Sequence, residues 1–182
     1  MLDAFDQVVQ AMLDRVNVVD VRPAPAWAGN PITSRPATLA CFHQAAKRQA
    51  LEPIKVLAVL RTENGRLGSF VFAPKGQSWD IGPMQINSIH LGEFAQVFGV
   101  PPAQMASLLA YDGCFSLEVG AYLLRRRTNE ASGDFWRGIG RYHSKTAAPA
   151  AVYMSTVKGH LDGLAEEINR RAGQRVVVVA SN

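Results

Sequence analysis

Apolar residues recur at helical spacing along most of the chain, and the places where that rhythm fails are few. Phe5, Val8, Val9, Met12, Leu13 and Val16 lie three or four positions apart or adjacent, which predicts a short amphipathic helix at the start. The rhythm stops between Arg22 and Pro36, where four prolines with Gly29 and Asn30 exclude a helix or a central strand and predict a strap or linker. It resumes at Thr38, a cap for a helix over Leu39 to Ala50, and Pro53 opens a second helix running to about Thr62. That second helix, Pro53 to Leu60, is apolar on nearly every side and belongs in the core. Gly65 is the expected left-handed stop after it.

Residues Asn64 to Asp80, with three glycines and a proline after Asn64, predict a long functional loop. Further helices are predicted over Ser88 to Phe98, Pro101 to Leu109, Phe115 to Arg127, Phe135 to Tyr142 behind Asp134 as cap, and Ala148 to Arg171. The pattern gives a mainly α fold, with no alternation of strand and helix to build a parallel sheet. The valine-rich tail after it has no predicted place.

A chain of 182 residues with 48% apolar and 19% charged residues is sized for one domain with short appendages and is not disordered. No apolar run approaches the roughly 20 residues of a membrane helix. The first twenty residues, interrupted by Asp3, Asp6 and Asp14, do not read as a secretory signal. The formal charge of +4 favours an anionic polymer only weakly, because the densest basic cluster, Arg125 to Arg127, reads as a solvated helix end. Cys41 and Cys114 have no ligand partners nearby, and His43, His90, His143 and His160 are dispersed, so no metal site is expected. The two cysteines are either buried thiols or, in an oxidising compartment, a bridge.

Three segments carry candidate chemistry. Glu63 closes a buried helix, where desolvation and the negative helix end should raise its pKa and suit it to general acid work. Gly82-Pro83-Met84-Gln85-Ile86-Asn87 offers a glycine turn that lets backbone approach a ligand, with Gln85 and Asn87 projecting amides suited to sugar hydroxyl and acetamido groups. Arg141-Tyr142-His143-Ser144 places a phenol near a helix end. Neither a Gly-x-Ser-x-Gly elbow nor a phosphate-binding glycine loop is present, which leaves carboxylate chemistry or binding.

In this order and spacing the segments resemble the lytic transglycosylase domain of the soluble lytic transglycosylase superfamily, over about residues 39 to 165, with 1–38 as helix and strap and 166–182 as helix end and tail. The Tyr-His-Ser form and the cysteine positions look most like the specialised enzymes that accompany conjugation, pilus and secretion machines. The resemblance implies a lysozyme-like single domain and a Cys41–Cys114 disulfide. It also implies cleavage of the β-1,4 bond between N-acetylmuramic acid and N-acetylglucosamine without water, leaving a 1,6-anhydro sugar. Glu63 would be the acid and then the base, and the substrate acetamido group would replace a protein nucleophile. Gln85 and Tyr142 would position the acetamido group, the sugar or Glu63, and Asn64, Met84 and Asn87 complete the candidate set. The sequence departs from the family pattern in three places: Asn64 stands for a serine, Pro83 for a leucine, and His143-Ser144 for Asn-Ala.

The implied partners are peptidoglycan strands and components of such a machine, without cofactor, nucleic acid or membrane span, for a monomer placed in the periplasm or outside the cell. Rival functions are a goose-type muramidase with Asp80 as second carboxylate, a non-catalytic glycan binder, and a helical nucleic-acid binder resting on charge alone.

Overall fold

The computed structural model describes residues 2–173. The predicted valine-rich tail lies outside them. Eight α-helices and a small antiparallel sheet make up the described residues. Helix α1 (Ala4–Val16) starts where the Asp3 carboxylate accepts from the Asp6 N–H at 2.8 Å. Helices α2 (Leu39–Arg48) and α3 (Pro53–Glu63) follow, α2 capped by the Thr38 hydroxyl and α3 opened by Pro53. Then come α4 (Leu91–Phe98), α5 (Pro102–Tyr111), α6 (Gly113–Glu130), α7 (Phe135–His143) and α8 (Ala147–Ala172). The predicted helix over Ser88 to Phe98 is a 3-10 turn at Ser88–His90 running into α4, because the Asn87 side chain caps the turn through the Ile89 N–H.

Helix α3 is the axis of the core. Val56 to Leu60 are completely buried, with α8 and α2 packed on it, while α7 bridges α6 and α8. An apolar helix enclosed in this way stabilises by removing whole side chains from water, about 2 kcal/mol for each Leu or Val. Helix α1 is built into the same core, since Val8, Val9, Leu13 and Val16 are buried and it packs on α8 and α2. The first 38 residues are therefore no loose appendage.

The strap after α1 is fixed at several points. The Asp20 N–H donates to Leu67 O at 2.7 Å, and the Ser107 hydroxyl lies within hydrogen-bond distance of Ala28 O and Asn30 O. Arg35 exchanges backbone hydrogen bonds with Tyr111 O and the Gly113 N–H, both 2.8 Å. Beside that anchor a disulfide joins Cys41 to Cys114, Cα to Cα 5.5 Å, tying the start of α2 to the start of α6.

The segment expected to be a loop, Asn64 to Asp80, contains a hairpin. Strands β1 (Phe70–Ala73) and β2 (Ser78–Ile81) pair antiparallel around a turn at Pro74 to Gln77, and β3 (Ile86–Asn87) adds to β2. In this register Val71, Asp80 and Asn87 share one face, and Phe70, Phe72, Trp79 and Ile81 the other. The aromatic face meets Trp27 of the strap, whose ring lies 6.0 Å from Phe70 and 6.2 Å from Trp79. The opposite face turns its polar residues toward the end of α3. Among the described residues no helix is long and apolar enough to cross a membrane.

Candidate active site

Glu63 is the last residue of α3. The left-handed residue behind it is Asn64 (φ 49°) and not Gly65 as the sequence pattern suggested. Asn tolerates that conformation, and Gly65 serves a different need. A Cβ there would lie 2.2 Å from Gly82 O and 2.8 Å from Pro83 O, so only glycine lets the Glu63 loop lie directly on the Gly82 turn. Gly82 (φ 67°) is likewise pressed onto protein, since a Cβ would meet Leu109 O at 2.0 Å. Its close approach is to α5, where the sequence suggested a ligand. Two of the three motifs are thus locked together by backbone contact.

The other candidates fall into place around this junction. Gln85, itself left-handed (φ 48°), donates from Nε2 to Gly82 O at 2.8 Å and to Ser69 Oγ at 3.3 Å, and lines a cavity with Glu63. Asn64 lines the same cavity and accepts from Arg15 Nη2 at 3.3 Å. Met84 is fully buried and lies against Gly120 of α6. Asn87 donates from Nδ2 to Ser78 Oγ (2.9 Å) and Asp80 Oδ1 (2.8 Å). The buried Tyr142 donates to Met84 O at 2.9 Å. The phenol that donates to Glu63 Oε1 belongs instead to Tyr153 of α8.

Nothing in the sequence marked Tyr153. Its burial on the same stripe as Val157 and Leu164 was readable from helical spacing, but its hydroxyl partner was not. Above it His143 stacks face to face, centroids 4.8 Å apart and planes 1° apart, and Tyr142 lies 6.4 Å away at 15°. Burial raises the pKa of both tyrosines, so they stay hydrogen-bond donors.

Glu63 is half-buried, with part of the residue on the cavity wall and the rest enclosed by protein. Desolvation pushes its pKa up to about 8, against the Tyr153 hydrogen bond, which favours the ionised form; the nearby charge of Asp80 adds to the rise. Asp80 is itself raised by burial, opposed by the hydrogen bond from Asn87 and by His143. A carboxyl that holds its proton at neutral pH can deliver it to a leaving oxygen.

Two cavities lie near Glu63 and Tyr153, and Glu63 lines one of them. One, of about 240 Å³, is polar and includes Asp20, Arg22, Asn64, Arg66 and Gln85 in its lining. The other, of about 450 Å³, is apolar, formed by Thr62, His143 and the Ala148 to Thr156 side of α8. Tyr153 lines the second, while its hydroxyl donates to the carboxyl that lines the first. Among the described residues no three His, Cys, Asp or Glu side chains converge on a metal position.

No family model matches the chain. Among curated proteins it is similar to the invasion protein IagB of two strains of Salmonella typhimurium and of Salmonella typhi, 29% identical over 107 residues in each case. The match takes in 59% of this chain and 63% of the relatives, so the chain spans less than two thirds of the length of the curated proteins it matches.

Proposed function

We propose that the chain is a peptidoglycan lytic transglycosylase of lysozyme-like fold. The observation that carries this reading is Glu63: a carboxyl with its pKa near 8, on the wall of a cavity it shares with Gln85, where a tyrosine fixes its orientation. Bound along the cavity that Glu63 lines, the glycan presents its glycosidic oxygen to the protonated carboxyl. Proton transfer to that oxygen breaks its bond to C1 of N-acetylmuramic acid and releases the N-acetylglucosamine end, while the muramyl acetamido group supports the positive charge at C1. The Glu63 carboxylate then takes the proton of the muramyl 6-hydroxyl as that oxygen closes on C1. The product is a 1,6-anhydro ring, no water is consumed, and Glu63 regains its proton.

Opposing influences on one side chain suit it to both steps. Desolvation keeps Glu63 protonated before cleavage, and the Tyr153 hydrogen bond stabilises the carboxylate that must act as base. The disulfide fits a periplasmic or extracellular setting. The partial similarity to a protein named for invasion supports a local opening of the wall for a secretion, pilus or conjugation machine.

Asp80 favours a second reading, a goose-type muramidase, because its charge acts directly on Glu63. Mass spectrometry of digested peptidoglycan separates the two. Anhydro products are expected, whereas products one water heavier would establish hydrolysis. Glu63→Gln is expected to lower lysis at least about 10²-fold while the chain stays folded. Undiminished lysis in that variant would remove Glu63 from both enzymatic readings, and no lysis by the unaltered chain would favour a glycan-binding role.

A further inference from the structure

We propose that the polar cavity beside Glu63 is a binding subsite for a carboxylate on the muramyl side chain, either the lactyl group or the peptide attached to it. This rests on the glycan reading above and adds the strap to the substrate groove.

The strap enters the site at Asp20 and Arg22, placed there by the hydrogen bond from the Asp20 N–H to Leu67 O. Arg22 Nε donates to both Asp20 oxygens, at 3.0 and 2.9 Å, so the guanidinium is held in one orientation while its side chain stays 70% exposed. Among the cavity's other residues, the exposed Arg66 guanidinium has no hydrogen bond or ion pair to another described residue; the Asp20 carboxyl is held below its usual range chiefly by its hydrogen bonds with Arg22, and the Arg66 charge adds to this. Arg15 arrives at the same edge, where its contact is the neutral amide oxygen of Asn64.

Two guanidiniums, Arg22 and Arg66, thus line the cavity with one ionised carboxylate, Asp20, because Glu63 keeps its proton up to about pH 8. The excess of positive charge lies in the cavity that Glu63 lines, since the other cavity is lined by apolar groups, hydroxyls and His143. Arg forks are suited to bidentate capture of carboxylates, and a neutral amino-sugar polymer would make no use of them. Muramyl residues carry such a group on every second sugar.

Binding to the full-length Glu63→Gln chain, measured calorimetrically, tests the subsite without turnover. Three glycans of equal length are compared: chito-oligosaccharides with no carboxylate, peptide-stripped strands with only the lactyl carboxylate, and peptide-bearing strands. A preference for the carboxylate-bearing strands is expected, and adding R66A should reduce it about tenfold, the loss of one charge-assisted pair. Preference for stripped strands would assign the lactyl group; preference confined to peptide-bearing strands would assign the peptide. Equal affinity for all three, or a preference that R66A leaves intact, would overturn the subsite. Cleavage by the unaltered chain is scored separately: normal cleavage with no preference sinks the subsite alone, and a preference without cleavage sinks the enzymatic reading alone.

Discussion

The two cavity walls linked by the Tyr153–Glu63 hydrogen bond are made of different kinds of chain. On one side stand the ends of α3 and α7 and the first half of α8, regular helices whose packing leaves an apolar recess backed by stacked rings. On the other side stand the strap, the Glu63 loop and the Gly82 turn, irregular backbone held by close contact, hydrogen bonds and charge. Helix packing tolerates small adjustments in many side chains at once. Backbone pressed against backbone does not, and there a single added methyl has nowhere to go. The division suits a residue with two duties, since the apolar wall raises the cost of charge on Glu63 and the polar wall supplies groups to hold a substrate.

The largest effect should appear at the seam between the walls. Below about pH 4.5 Glu63 is protonated in both folded and unfolded chains and does not alter stability. As pH rises toward 8 the unfolded chain releases that proton and the folded chain keeps it, so stability falls, by an amount approaching about 5 kcal/mol. Glu63→Gln removes the loss. Thermal unfolding should find the variant level with the parent at pH 4 and clearly more stable at pH 9, and a gap that does not change with pH would contradict the burial argument.

Slightly smaller is the effect of the bridge at the root of the strap. Replacing Cys41 and Cys114 together by serine frees a crosslink spanning 73 positions and should lower the unfolding free energy by about 4 kcal/mol, read from a denaturant midpoint. The loosening should be greatest at Arg35 to Thr38, and amide exchange that rises equally in α8 would deny the two walls their separate stability. Smaller again, about 2 kcal/mol, is Gly65→Ala, whose new methyl meets the Gly82 carbonyl. It should displace the polar wall and cut activity while the Tyr153 and His143 stack keeps its near-ultraviolet signature.

The contrast between the walls also governs what could be read from sequence. Helices on the apolar side were legible because caps and spacing are local: Thr38, Pro53 and Asp134 mark starts, and the apolar run from Val56 to Leu60 marks the core. The hairpin was not, for its strands hold four residues each and Phe70-Val71-Phe72 lacks the alternation that signals a half-buried strand. A run of β-forming residues beside Pro74 and Gly76 was the available clue. Glu63 and Gln85 could be singled out beside their glycine turns. Asp20, Arg22 and Arg66 could not, because the path of a proline strap across a surface has no periodicity to reveal it. Tyr153 lies 90 positions from its partner, and only the packing of α8 on α3 brings them together.

Tyr153→Phe probes the apolar wall by the smallest change. The ring and its stack with His143 remain, and only the hydroxyl that donates to Glu63 is lost. That hydrogen bond lowers the Glu63 pKa against the pull of burial, so its removal should carry the value above about 8, by up to about one unit. The alkaline limb of kcat/KM should therefore move to higher pH, because Glu63 stays an acid for longer. Its plateau should fall about tenfold, because the carboxylate needed for the second proton transfer has lost its donor. A merely structural tyrosine would lower the plateau and leave the limb in place. A limb displaced toward lower pH would mean that Tyr153 favours the protonated form, reversing the assignment of its hydroxyl as the group that lets Glu63 turn from acid to base.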